Sequence, residues 1–198
     1  PEDEHLAMDG DFDVRRIVEW MAERIEQPGQ DLGGISFLVT AGPTVEEIDP
    51  VRYISNRSSG RMGFSIARQA ASRGAAVTLI YGPSAISPPR EVKRIPVRSA
   101  AEMFEAVKKE FFRSKVVVMS AAVSDFRPLA KNVEKIKKSD FLTLELVKNP
   151  DILEWMGRQR KKRQFIVGFA LEDSMDIGEA RRKLEEKRAD LIVLNSAE

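Results

Sequence analysis

Cysteine is absent from these 198 residues, and histidine occurs once, at His5. Disulfides and thiolate or imidazole metal sites are thereby excluded, His5 apart, so a metal used here is a hard cation held by carboxylates and phosphates. A charge excess is missing too. Charged residues make up 32% of the chain, yet the net charge is +1, which gives no general pull toward nucleic acid or an anionic membrane. No apolar run approaches the roughly 20 residues that span a bilayer, and the acidic start lacks the charged-then-apolar layout of a signal peptide. The expected home is the cytoplasm, with no membrane and no nucleic acid as partner.

What is present is enough apolar material for one core, 42% of residues. We expect a tail and linker helix over residues 1–34, with the helical spacing at 14–25 stopped by Pro28-Gly29, and a single domain over 35–198. Strand and helix patterns then alternate. Strands are expected at 35–39, 76–81, 95–97, 116–119, 165–169 and 191–194, and helices at 62–73, 100–112, 152–159 and 175–187. Ser99 is a natural cap with Glu102 at capping-box spacing, and 116–119 is continuously apolar, as a strand buried on both faces should be. Residues 141–147 alternate like a half-exposed antiparallel strand. Repeated strand-helix-strand units imply an α/β fold, a doubly wound, mostly parallel Rossmann-like sheet flanked by helices, whose ligands bind at the carboxyl ends of the strands.

The polar clusters fall at such ends. Between the first strand and its helix lies Asp49-Pro-Val-Arg-Tyr-Ile-Ser-Asn-Arg-Ser-Ser-Gly-Arg-Met-Gly63. Ser58, Ser59, Gly60 and Gly63 let backbone N–H groups come close to an anion at a helix N-terminus. The plainer reading, that Gly60 and Gly63 only permit a tight turn and close helix packing, stays open. This is not the dinucleotide fingerprint, because the third glycine is missing and the strand at 76–81 runs into Gly82-Pro83 without an acidic residue for a ribose. A second cluster, Ser120-Ala-Ala-Val-Ser-Asp-Phe-Arg-Pro128, offers small residues against which a ring or sugar fits, and Asp125 for ribose hydroxyls or magnesium, unless it is a turn residue. Lys135-Ile-Lys-Lys138 reads as a basic arm over the site or a solvated face. Asn149-Pro-Asp151 reads as a helix start, and Val167-Gly-Phe-Ala-Leu-Glu172 as a strand entering a small-residue turn. Lys183 and Lys187 stand four apart, facing a polyphosphate or pairing with Glu179 and Glu186.

Gly42-Pro-Thr-x-Glu46, residues 48–63, Ala121-Ala-Val-Ser-Asp125, Lys135-Ile-Lys-Lys138, Lys148-Asn-Pro-Asp-Ile152 and Gly168-Phe-Ala-x-Glu172 resemble, in order and near-spacing over residues 30–195, the phosphopantothenate-cysteine ligases. These form the synthetase half of bacterial bifunctional coenzyme A biosynthesis proteins, whose other half is a flavin-dependent decarboxylase. Residues 14–29 resemble the linker between the halves. The resemblance implies a ligase that activates 4'-phosphopantothenate with CTP and Mg²⁺, forms an acyl-cytidylate with release of pyrophosphate, and passes the acyl group to L-cysteine with release of CMP. By the same matching Asn56 acts on the acyl-cytidylate, Arg52 pairs with a substrate anion and Lys135 supports the α-phosphate. Met119, Ser120 and Ala121 would line the nucleotide pocket, Asp125 would hold nucleotide and metal, and Pro150, Asp151, Ile152, Leu153 and Phe169 would read or pack the cytosine. Lys183 and Lys187 match family lysines near the triphosphate. Family members are dimers or higher oligomers, and residues 126–147 resemble their crossing arm. The family continues past residues 190–195 whereas this chain stops at Glu198, which predicts an uncovered sheet edge.

Two other classes are weighed. A nicotinamide-dependent reductase of Rossmann type lacks support, since neither Tyr53 nor Tyr81 has a lysine four residues on. A nucleic-acid module would draw on residues 158–163 and 135–138, but these runs have no interleaved aromatics for base stacking.

Overall fold

The computed structural model describes Met21, residues 32–172 and residues 177–196. The expected helix at 14–25 and the start of the one at 175 lie outside these, except Met21, which is helical and fully buried.

Strands β1 (Ser36–Ala41), β4 (Ala76–Tyr81), β5 (Lys93–Pro96), β6 (Val116–Met119), β9 (Phe165–Glu172) and β10 (Leu191–Ser196) form one sheet in the order β10-β9-β6-β1-β4-β5, every pair parallel. From β1 the chain winds first toward β4 and β5, then returns to β6 on the other side. The switch point therefore lies between the carboxyl ends of β1 and β6. Strand β10 is the outermost strand on its side of the sheet among the described residues.

Side chains of the central strands alternate between two cores, because successive residues of a strand face opposite ways. Phe37, Val39, Ala41, Val116 and Val118 pack on one face beneath helix α1 (Arg61–Ser72), through its Phe64, Ile66, Ala67 and Ala70. Leu38, Val117, Met119 and Ile166 pack on the other, against Met103 and Val107 of α2 (Ala100–Glu110) and Ile152 and Met156 of α3 (Ile152–Gln159). Helix α4 (Ile177–Lys187) lies beside α3, so close that a side chain on Gly157 would sit 1.8 Å from the Lys187 carbonyl oxygen. Each fully buried large apolar side chain contributes about 1.5–3 kcal/mol, which fixes helices and sheet as one body. Ser99 caps α2 by accepting from the Glu102 N–H at 3.1 Å, while Glu102 reaches back to the Arg98 N–H at 2.7 Å.

Two antiparallel ribbons project beyond the carboxyl edge of the sheet. One pairs β2 (Val45–Glu47) with β3 (Tyr53–Ser55), and the other pairs β7 (Phe126–Pro128) with β8 (Leu146–Lys148). The second corrects the expected strand at 141–147. Only Leu146 and Val147 of it belong to β8, since β7 supplies just three residues to pair with, and 141–145 carry no ladder.

Candidate active site

Loops from four parts of the chain meet at the switch point, and backbone bonds weld them. Ala122 N–H donates to the Gly42 carbonyl at 2.9 Å, and Pro43 and Ala122 form a parallel bridge, so the turn after β1 continues the one after β6. Buried Thr44 accepts the Ser124 N–H on its hydroxyl at 3.0 Å, and its carbonyl accepts from the Ser55 hydroxyl at 2.7 Å. The Asn56 carboxamide donates to the Val123 carbonyl at 3.0 Å, which places Asn56 on the loop that carries Asp125. Asn149, buried, donates to the Ser124 carbonyl at 2.8 Å through its side chain and to the Asp125 carbonyl at 2.7 Å through its backbone. Ser58 to Gly63, Asn56, Ser120 to Asp125 and Asn149 to Asp151 are thus brought to one edge.

Helix α1 opens at this edge without a side-chain cap. Gly60 holds its cap position at a φ of 75°, a left-handed conformation that glycine adopts without strain. A side chain on Gly60 would meet the Gly42 backbone at 3.2 Å, and one on Gly63 would lie 2.6 Å from the Ala41 Cβ. The plainer reading of these glycines therefore holds: they let the helix end press onto β1, which sets the first turn of the helix over the switch point. The Ser58 and Ser59 hydroxyls accept from Gly60 and Arg61 N–H at 3.3 and 3.4 Å, so both serines shape the turn.

The turn between β2 and β3 carries Arg52, expected to pair with a substrate anion, and within the chain its guanidinium is already engaged through one nitrogen. Its guanidinium donates to Asp49 at 2.5 Å and to the Ile136 carbonyl at 3.2 Å. Lys135 stands exposed on the arm that begins at Leu129, whose Asn132 N–H donates to the Ile48 carbonyl at 2.9 Å and whose Lys131 pairs with Glu47.

Two of the residues expected at the nucleotide sit in the core. Met119 and Ile152 are buried, and the Met119 sulfur accepts from the Thr40 hydroxyl at 3.1 Å. The Ala121 N–H is taken by the same hydroxyl at 3.2 Å. Ser120, Leu153 and Phe169 are half-buried, Pro150 and Asp125 exposed. Asp151 caps α3 by accepting from the Glu154 N–H at 2.8 Å. Lys187 pairs with Asp151 at 2.9 Å and approaches Glu154 at 3.8 Å, whereas Glu179 and Glu186 pair with Arg182, so its expected partners are replaced. Burial works against both charges, but the Glu154 N–H and the Lys187 ammonium hold the Asp151 carboxyl below its ordinary value, and Asp151 holds Lys187 above its own. Lys183 is half-buried on α4. In the run 158–163, Arg158 pairs with Glu154, Arg160 with Asp190, and Lys161 lies over the Phe112 ring at 4.8 Å, which commits three of its cations within the chain.

The profile of the DNA/pantothenate metabolism flavoprotein C-terminal domain, DFP, matches residues 32–198. The chain belongs to the DFP family. It is 48% identical over 167 residues to the coenzyme A biosynthesis bifunctional protein CoaBC of Haemophilus influenzae, covering 84% of this chain and 42% of that protein. It is 44% identical over 187 residues to a cysteine/cysteine sulfinic acid decarboxylase of an unknown prokaryotic organism, covering 92% of this chain and 51% of that one. Its fold matches the crystal structure of the C-terminal domain of a coenzyme A biosynthesis bifunctional protein CoaBC with a TM-score of 0.74 at 42% identity, over 84% of this chain and 80% of that. The chain spans about half the length of these curated relatives.

Against this DFP fold the site can be tested for its ligands. The uncapped α1 terminus and the Gly60 cradle suit a phosphate. The Ser124 hydroxyl, on a residue 2% exposed, has no partner among the described residues, and such a group costs about 1–3 kcal/mol until something bonds it. No group of three or more His, Cys, Asp or Glu gathers among the described residues. An Mg²⁺ ion at Asp125 would therefore draw most of its oxygens from phosphate and water, as this ion commonly does. Sequence reasoning placed Thr44, Asp49, Ser124 and Asn149 inside its motifs but gave them no partners, because each is a small polar residue whose role depends on groups from 2 to 87 positions away; only Asn149-Pro carried a local turn signal. No helix of the described residues is long and apolar enough to cross a membrane.

Proposed function

We propose that this chain is a phosphopantothenate-cysteine ligase of coenzyme A biosynthesis that uses CTP and Mg²⁺. The observation that carries the reading is the meeting of the α1 N-terminus, Asn56 and the Asp125 loop at the β1/β6 switch point, joined through the Gly42–Ala122 and Asn56–Val123 bonds. Membership of DFP and the CoaBC relatives support it.

In this reading 4'-phosphopantothenate offers its carboxylate to the α-phosphate of CTP, the bond to pyrophosphate breaks, and an acyl-cytidylate forms. The amine of L-cysteine then attacks the acyl carbon, loses a proton, and CMP leaves. Joining two anions needs positive charge already in place, which the N–H groups of α1 and the Lys135 ammonium supply. Mg²⁺ bound at Asp125 would add charge at the phosphates. Asn56, anchored by one N–H to Val123, keeps its Oδ1 and second N–H for the acyl group and holds it for attack. Met119, Ser120, Ala121, Pro150, Ile152 and Leu153 shape the base pocket mainly through backbone groups, with Phe169 packing it. Lys187 fixes the α3 start through Asp151, and Lys183 flanks it.

The bifunctional relatives support fusion to a second activity, which we take to be the flavin-dependent decarboxylase. A homodimer or higher oligomer closing over the arm completes the proposal. Calorimetry with CTP, ATP and NADPH in magnesium chloride tests it: saturable binding of CTP at least about tenfold tighter than ATP is expected, and binding of NADPH with none of CTP would sink it in favour of the reductase.

A further inference from the structure

Asp49 lies outside every motif role assigned above, yet it is 1% exposed and fully bonded. Its two oxygens serve different masters. Oδ1 accepts the N–H groups of Val51 and Arg52, both at 2.7 Å, which closes the turn between β2 and β3. Oδ2 accepts the Arg52 guanidinium at 2.5 Å and, across 87 positions of sequence, the N–H of Ile136 at 3.1 Å. The guanidinium completes the loop by donating to the Ile136 carbonyl at 3.2 Å. Both polar backbone groups of Ile136 are therefore held by one ion pair whose carboxylate is buried and whose guanidinium is half-exposed. Burial alone would raise the Asp49 carboxyl, but the three N–H groups and the guanidinium outweigh it and hold the value down to about 2, so the acceptor stays charged at any working pH.

We propose that Asp49 is a positioning residue for nucleotide binding: it latches the Ile136 backbone to the ribbon and thereby fixes where Lys135, the preceding residue, delivers its ammonium. The proposal rests on the reading of Lys135 as a phosphate-facing group. A lysine has four rotatable side-chain bonds, and on an exposed arm it loses rotamer freedom on binding even when its backbone is held. Without the latch, the backbone freedom of each arm residue that must be ordered adds to that cost. The other ties of the arm, Asn132 to Ile48 and Lys131 to Glu47, lie three or more residues before Lys135, and the next after it is the pairing of Leu129 with Glu145, ten residues on.

The isosteric change Asp49→Asn separates the two oxygens. With its carbonyl turned to Val51 and Arg52, the asparagine keeps the turn, but its NH₂ then faces two donors, the guanidinium and the Ile136 N–H, and accepts from neither. Three measurements on the full chain decide the matter. Amide exchange at Ile136 is expected to lose protection by at least about tenfold in Asp49→Asn, while the melting temperature moves by a few degrees at most. Calorimetric affinity for CTP with magnesium chloride is expected to fall about tenfold in Asp49→Asn and less than about twofold when Asp49→Asn is added to Lys135→Gln, since coupled residues are non-additive. If Asp49→Asn does not fold, Ile136→Pro, which removes the donor and leaves the carboxylate, carries the same affinity test.

Unchanged Ile136 exchange, or an equal loss of CTP affinity with and without Lys135, would overturn the latch. Undiminished CTP affinity in Lys135→Gln would overturn the site reading and the positioning role with it. That outcome is distinguishable, because Ile136 exchange in Asp49→Asn still rises.

Discussion

A single 3.0 Å bond from Asn56 to the Val123 carbonyl sets the residue proposed for the second half-reaction, whereas Lys135, proposed for the first, is exposed. Asn56→Ala should still release pyrophosphate but stall before the amide forms, with product formation down at least about 100-fold for a lost transition-state contact of roughly 3 kcal/mol. Lys135→Gln should lose pyrophosphate release itself, by about tenfold or more, as a charge-assisted contact is worth about 1.5–3 kcal/mol. Isotope-labelled CTP followed to pyrophosphate and CMP separates them, and equal loss of pyrophosphate in both contradicts the division. Gly63 makes a stability prediction. A methyl there would lie 2.6 Å from the Ala41 Cβ and 2.9 Å from the Thr40 carbonyl oxygen, so Gly63→Ala should cost about 1–3 kcal/mol. Thermal melting reads this as a fall of roughly 2–4 °C per kcal/mol. At this scale the sequence named the chemistry-bearing residues by their neighbours but not their partners. The pairing of Arg52 with Asp49 was not legible, because nothing local shows that Asp49, three residues back, is buried beneath it.

Elements were more legible than contacts, because a strand or helix writes its own period into the chain. The parallel strands are near-continuous apolar runs, and α2 and α3 announce their starts through Ser99 and Asp151. The exceptions were the ribbons: the three-residue strands β2, β3 and β7 are too short to show a period, and at 141–147 alternation alone cannot say whether a partner strand is long enough to pair. The joint between α3 and α4 was equally hidden. Lys187 on α4 reaches Asp151 at the α3 start, and each raises the other's charged form. The sign follows from the directions. The lowered Asp151 contributes above about pH 4, the ordinary carboxylate value, and its share is lost as pH falls through the lower folded value. The raised Lys187 contributes below about pH 10 and fails only as pH rises through its higher folded value. Lys187→Met should therefore lower the urea midpoint by a nearly constant amount, worth about 1 kcal/mol or less, between about pH 5 and pH 9. That gap should close on the acid side. A gap that widened below pH 4 would rule out the Asp151 pairing as its source.

For the whole molecule the sheet and its two cores account for stability, but not for what the arm exposes. Phe141 is 83% exposed, Val133 89% and Leu129 59%, with Phe126 at 51% on the strand that follows the Asp125 loop. These exposed apolar side chains fall within one segment, 126–146, and a contiguous apolar surface is usually relieved by a partner. A second copy of the chain is the economical partner, since a two-fold axis would bury the same patch twice. The ribbon and arm also carry Arg52 and Lys135, so a dimer closing there would wall the site from two sides. Phe141→Asp should then shift the chain toward monomer in sedimentation equilibrium, weakening self-association by about tenfold or more as a charge replaces a buried ring. The fold should survive, because Phe141 belongs to neither core. Pyrophosphate release should fall with dimer content as protein is diluted, and recover as concentration rises. Activity independent of concentration, in a variant shown to be monomeric, would mean that each chain carries a complete site and that the arm's apolar face serves some other contact.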